Sequence, residues 1–266
     1  MEMLYPILAI GGIGAVFGGV LAFASQAFAV ENDPRIDQIN EVLPGANCGA
    51  CGYPGCGGFA EAVVSGKAPI NGCPVGRQKI ADKISEIMGE EKEESDSSVK
   101  MVARVKCNGT HELAKDKFKY DGVKDCKSAM LIDGGQKACK YGCLGLGTCV
   151  RECPFDAITM NEKGLPSIDE ELCTSCQKCV IECPKDVIGM VPQGSDVHVL
   201  CNSQDKGAVV MKVCKVGCIG CRKCAKVCPV DCITIENNLA VIDNTKCISC
   251  EKCVAECPTN AIEKVQ

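Results

Sequence analysis

Between Met3 and Val30 the chain carries no Asp, Glu, Lys or Arg. Such an apolar run is long enough to span a bilayer as a helix, which takes about 20 residues. Only Met1 and Glu2 precede it, so the basic segment of a secretory signal is missing. Ala27-Phe28-Ala29 resembles a cleavage site, but the pattern as a whole reads as a retained anchor over residues 1–30. Gly14 and Gly18, beside Ala15 and Gly19, form a small-residue face suited to packing on another membrane helix; the alternative is that they merely dilute the hydrophobicity. Beyond the anchor, Asp33-Pro34 predicts an N-cap and first helical residue, opening a helix that ends near Pro44-Gly45. Ile80, Ile84 and Ile87 lie on one face of a further helix, stopped by Gly89. Glu90 to Ser98 contains no apolar residue. The stretch 90–100 therefore reads as a flexible acidic linker, with a reach of roughly 15–20 Å, between a module at 31–89 and the rest of the chain.

From residue 101 onward the pattern repeats. Four Cys-Pro pairs, at 153, 183, 228 and 257, are each followed by a short apolar strand ending in or beyond Ile158, Ile188, Ile233 and Ile262. Two close pairs separated by a wider gap predict two tandem units, 101–196 with an extra arm and 197–266. Within each unit a strand–turn–strand connection is expected, at Asn161 to Gly164 in the first and Asn237-Asn238 in the second.

Composition changes the picture at one point. Of 266 residues 25 are cysteine, against two histidines, no tryptophan and 4% aromatics. With cysteine set aside the apolar share falls to about 37%, little for one large core. Small modules of this kind are held by cross-links or metal. The formal charge of −5 excludes the basic stripe of a nucleic-acid binder.

The spacing of the thiols decides between the two. Cys173-x2-Cys176-x2-Cys179-x3-Cys183-Pro184 is the bacterial ferredoxin run, and it recurs at Cys218, Cys221, Cys224, Cys228-Pro229 and at Cys247, Cys250, Cys253, Cys257-Pro258. In this run three thiolates hold one [4Fe–4S] cube and the fourth cysteine ligates the other cube of the pair. Zinc wants two separated Cys-x2-Cys pairs instead. The exchange rule gives one site of Cys218, Cys221, Cys224 and Cys257, another of Cys247, Cys250, Cys253 and Cys228, and a third of Cys173, Cys176, Cys179 and Cys153. For Cys183 the available partners are Cys139-x3-Cys143-x5-Cys149, read as an expanded loop relaxed by Gly142, Gly145 and Gly147; the alternative is a unit that has lost one cluster. Cys48-x2-Cys51-x4-Cys56-x16-Cys73, rich in glycine, predicts a fifth [4Fe–4S] site, with structural zinc as the alternative. The expected fold is thus α+β: small iron–sulfur modules behind a transmembrane helix. A reducing compartment suits such ligation, which places the C-terminal bulk on the cytoplasmic side of the cell membrane.

Five thiols remain. Val105-Lys106-Cys107-Asn108 and Val199-Leu200-Cys201-Asn202 look like copies, each followed by a further cysteine, Cys126 and Cys214. These four could build a sixth cluster, or stand as buried free thiols or a redox pair; Cys232 reads as a small core residue, and His111 and His198 as structural. Oxidised four-thiolate cubes carry −2 each, so five add about −10. Lys206, Lys212, Lys215, Arg222, Lys223 and Lys226, opposed only by Asp205, either screen that charge or form a docking face for an acidic carrier. No nucleotide loop and no nucleophile–base grouping is visible, which leaves one-electron transfer and no stand-alone catalytic site.

An anchor, the x2, x4, x16 module and tandem ferredoxin units together resemble the B subunits of the Rnf complexes, the ion-translocating ferredoxin:NAD oxidoreductases, in their longer two-unit form. The resemblance implies a membrane complex in which electrons from reduced soluble ferredoxin pass to partner subunits and on to NAD, driving Na⁺ or H⁺ outward. The alternative from the residues alone is a membrane-tethered polyferredoxin shuttle uncoupled from any pump; an iron–sulfur sensor is a third reading.

Overall fold

The computed structural model describes residues 4–27, 33–90 and 99–265, and in the first of these the side chains of 11–24 only. Helix α1 (Leu4–Ala27) runs unbroken through the apolar segment. Ile13, Val16, Phe17, Val20, Leu21 and Phe23 are all more than half exposed, and a Cβ at Gly14 or Gly18 would meet nothing within 4 Å. Among the described residues no helix is long and apolar enough to cross a membrane. Phe28 and Ala29 of the cleavage-like motif, and residues 91–98 of the acidic stretch, lie outside the described residues.

Helix α2 (Pro34–Val42) starts as its sequence dictates. Asp33 caps it, its carboxylate accepting the Arg35 N–H, with Pro34 in the first turn. Helices α3 (Gly55–Val64) and α4 (Arg77–Met88) come next, and Gly89 ends α4 in the left-handed region at φ +71°. Helix α2 packs on both, and Ile39, Phe59 and Ile84 form a core that is closed to solvent.

The remainder is built twice. Strand β1 (Met101–Val105) leads through helices α5 (Cys126–Met130) and α6 (Thr148–Arg151) to the hairpin of β2 (Ile158–Met160) and β3 (Pro166–Ile168), then helix α7 (Lys178–Ile181) and strand β4 (Ile188–Pro192). The second copy has β5 (Val197–Val199), α8 (Gly207–Val213), α9 (Lys223–Val227), the hairpin of β6 (Ile233–Glu236) and β7 (Leu239–Ile242), α10 (Lys252–Ala255) and β8 (Ile262–Lys264). In each copy the entering strand pairs antiparallel with the closing one, Met101 opposite Pro192 and Val197 opposite Lys264. Each hairpin is antiparallel as well, and Asn237 and Asn238, both at positive φ, make the tight turn between β6 and β7.

After each Cys-Pro the chain turns at Asp156, Asp186, Asp231 or Asn260, all at φ between +49° and +52°. Asp and Asn tolerate this region because their short side chains bond locally. The turn drops the next two residues into the core: Ala157-Ile158, Val187-Ile188, Cys232-Ile233 and Ala261-Ile262 are buried. Cys232 therefore occupies a packing position of the repeat.

Candidate metal centres

Cys48, Cys51, Cys56 and Cys73 line one cavity, closed on its apolar side by Leu43, Phe59 and Val75. The backbone is folded tightly around them. Asn47 Oδ1 accepts the Cys56 N–H at 2.8 Å, and Gly55 sits at φ +83°, where a Cβ would come 2.8 Å from that same oxygen. The Gly76 N–H donates to Cys73 Sγ at 3.4 Å. Burial, with the charges of Cys51 and Cys56 adding to it, pushes the Cys73 thiol up.

Three ferredoxin-type sets come together as the exchange rule requires. Cys153, Cys173, Cys176 and Cys179 line a second cavity, and Cys228, Cys247, Cys250 and Cys253 a third. Cys232 borders that third cavity too, its sulfur 3.4 Å from Cys228 Sγ. Cys224, pushed up to about 11 chiefly by burial, also feels the charges of Cys218, Cys221 and Cys257. In each run the residue before the second cysteine and the residue after it are left-handed: Ser175 and Gln177, Gly220 and Arg222, Ser249 and Glu251. These two turns wrap the loop and start the short helix that carries the third thiol.

The fourth set departs from the expanded-loop reading. Gly145 and Gly147 are also left-handed, at φ +70° and +72°, and Gly147 precedes α6 as Gln177 precedes α7. The loop is therefore of ordinary length: Cys143-x2-Leu146-x2-Cys149-x3-Cys153, with Leu146 where the second cysteine stands elsewhere. Cys139 lies outside this loop. The cavity here is lined by Cys143, Cys149, Cys183 and Cys126, with Leu146 on its wall. Cys126 reaches it because α5 is tied to α6: the Cys126 N–H donates to Thr148 Oγ1 at 2.7 Å, and Thr148 Oγ1 donates to Asp125 Oδ2 at 2.9 Å. Counting back from Cys153-Pro154 in steps of x3, x2 and x2 is the signal in the sequence that would have exposed the substitution.

Cys139 instead lines a separate cavity with Cys107, Cys201 and Cys214, bordered also by Cys143. The expected sixth grouping thus exchanges Cys126 for Cys139. His198 is buried, and His111 faces Asp116 at 3.5 Å; neither borders any of these cavities.

These thiols suit a cluster chemically. Burial pushes Cys179 up to about 12 and Cys149 and Cys201 to about 11, and it drives Cys143 well above the ordinary thiol range. Burial makes each of these thiols costly to ionise, a cost that a cationic cluster bound among them would offset. The thiols line cavities, an arrangement that suits a multi-atom cluster. Backbone N–H groups aim at sulfur in several sets, from Ala103 to Cys173 Sγ at 3.5 Å and from Ala261 to Cys257 Sγ at 3.2 Å, and such bonds raise cluster potential.

The chain matches the profile of a putative Fe-S cluster family over residues 43–75 and that of a 4Fe-4S dicluster domain over 136–187 and 217–261. It is 45% identical over 244 residues to the B subunit of the ion-translocating oxidoreductase complex of Methanosarcina acetivorans, covering 92% of this chain and 91% of that protein. It is 48% identical to the B subunit of the Na(+)-translocating ferredoxin:NAD(+) oxidoreductase complex of Acetobacterium woodii, over 92% of this chain and 72% of that one. The corresponding subunit of the proton-translocating complex of Clostridium ljungdahlii is 48% identical over 88% of this chain and 81% of its own length.

Proposed function

The chain belongs to the family of B subunits of ion-translocating oxidoreductase complexes, and on that footing we propose that it carries single electrons from reduced ferredoxin toward the other subunits of a membrane complex that couples ferredoxin:NAD oxidoreduction to ion transport. The observation that carries this reading is the gathering of thiols, four at a time, around separate cavities. [4Fe–4S] clusters bound there would supply reversible one-electron chemistry, which thiols alone lack. Cys48, Cys51, Cys56 and Cys73 would hold one; Cys153, Cys173, Cys176 and Cys179 another; Cys126, Cys143, Cys149 and Cys183 a third. The second unit would hold two more, on Cys218, Cys221, Cys224 and Cys257 and on Cys228, Cys247, Cys250 and Cys253.

The protein's part is spacing, insulation and potential. Cys176 feels the charge of Cys48 across from the first module, and Cys179 that of Cys149, so neighbouring sets lie close. Tunnelling falls exponentially with distance, and closeness is what a wire requires. Most of these thiols are buried or half-buried, whereas Cys221 and Cys250 are exposed. Exposed Arg222, Lys223 and Lys226 surround the former, while Asp205 is engaged by Lys140 at 3.0 Å. That basic edge supports docking of an acidic ferredoxin there. Reversing all three charges is expected to slow reduction by ferredoxin on the order of tenfold at low salt and to flatten its salt dependence; stopped-flow rates that do not change would rule the entry point out.

Residues 1–30 supply the anchor in this reading, with the remainder on the cytoplasmic side and the exposed apolar face of α1 covered by lipid and a partner helix. Mild-detergent extraction tests the function as a whole. Co-purification with several polytopic subunits and ferredoxin-dependent NAD reduction are expected. A polypeptide that extracts alone, and accepts electrons without coupling, would mark it as a tethered shuttle.

A further inference from the structure

We propose that Lys185 places a buried positive charge against the cluster site of Cys126, Cys143, Cys149 and Cys183 and raises the potential at which that site accepts an electron; the proposal rests on the cluster-binding reading above. The repeat itself singles the residue out. The residue after a Cys-Pro stands on the wall of the cavity that its cysteine enters: Phe155 with Cys153, Lys185 with Cys183 and Val230 with Cys228. In the remaining copy Thr259 Oγ1 lies 3.9 Å from Cys257 Sγ. Phe155, Val230 and Thr259 are neutral. Only the wall beside Cys183 carries an amine at this position, and Lys185 is 7% exposed.

The side chain is fixed in place at both ends. Lys185 Nζ donates to the Lys140 carbonyl at 2.6 Å, and Asn202 Nδ2 donates to the Lys185 and Asp186 carbonyls at 3.3 and 3.1 Å. Among the described residues Lys185 forms no ion pair with a carboxylate. A buried ammonium without an anion is costly. Burial accordingly pulls this lysine below its ordinary range, against the charges of Cys139 and Cys183. A four-thiolate cube, a dianion in its oxidised form, supplies the missing counter-charge from the cavity that Lys185 lines.

The consequence falls on the electron. Reduced ferredoxin supplies one electron through the neighbouring sites; its arrival adds one negative charge and moves no proton. A fixed ammonium therefore stabilises the reduced site more than the oxidised one. EPR-monitored redox titration of the anaerobically prepared full chain tests this. Lys185→Gln keeps a donor for the Lys140 carbonyl and removes the charge. Its iron and sulfide should match wild type, while the reduced fraction of one cluster at a fixed potential falls on the order of tenfold, about 59 mV for one electron. Lys185→Arg should titrate close to wild type. In Cys126→Ser, which lacks that cube, adding Lys185→Gln should shift nothing. An unchanged titration in Lys185→Gln, a shift that Lys185→Arg shares in full, or one that persists beside Cys126→Ser overturns the role of Lys185 and leaves the function intact. Loss of about four irons in Lys185→Gln would mark the lysine as structural and overturn it equally. Wild-type protein without iron defeats both.

Discussion

Stripped of iron under anaerobic conditions, residues 99–265 are expected to lose their fold, with most strand and helix signal gone from circular dichroism. The reason lies in what the core is made of. Each ferredoxin-like unit has two sheets of two strands, and a two-stranded hairpin is marginal by itself. Its helices between the ligands run four or five residues, too short to persist alone. The two buried clusters count Cys143, Cys173 and Cys179 in one and Cys201, Cys218, Cys224, Cys232 and Cys253 in the other. Removing the inorganic cubes leaves cavities lined by thiols where a protein of this size needs packed side chains, so binding and folding are one event. The module at 33–90 is the internal contrast. Its three helices of 9 to 12 residues close on Ile39, Phe59 and Ile84. Proteolysis of the iron-free chain should therefore cut 99–265 first. Retention of the full native spectrum after complete iron removal would contradict this account of the core.

Cys126→Ser is expected to cost the chain one cube, about four irons, and Leu146→Cys in the same molecule is expected to restore it. Both changes follow from a single substitution in the repeat. In three runs the second thiol arrives between two left-handed residues; in the fourth that place holds Leu146, between Gly145 and Gly147, and Cys126 enters the same cavity from α5. Leu146→Cys puts a thiol back where Cys176, Cys221 and Cys250 stand. Full iron content in the double variant, with the cluster's EPR signal recovered, is the predicted result. An unchanged iron content in Cys126→Ser, or a simultaneous loss in Cys139→Ser that is not additive with it, would return the fourth ligand to Cys139.

Local chemistry made much of the fold legible. Asp33-Pro34 announces α2, Gly89 ends α4, and each Cys-Pro followed by Asp or Asn marks a turn into the core, because these residues act on their own neighbours. The entering strands were not legible as strands. Residues 101–105 pair with 188–192, and nothing within five residues records a partner so distant along the chain. The ligand sets divide the same way. Where all the thiols of a run survive, spacing alone groups them as the structure does. Where Leu146 replaces one, the substitute comes from well upstream, positioned by Asp125 and Thr148, and the nearer Cys139 imitates it in the linear sequence. Cys139 in turn belongs to a cavity that needs both units, which no single repeat can reveal.

Acid-labile sulfide measured beside iron and zinc in the oxygen-free, full-length chain probes the central claim most directly. Iron and sulfide in equal amounts, at several cubes' worth per chain and bleaching in the visible on dithionite reduction, is the result expected of thiols arranged as a wire. Zinc without sulfide, or cystine in place of free thiols, would contradict it.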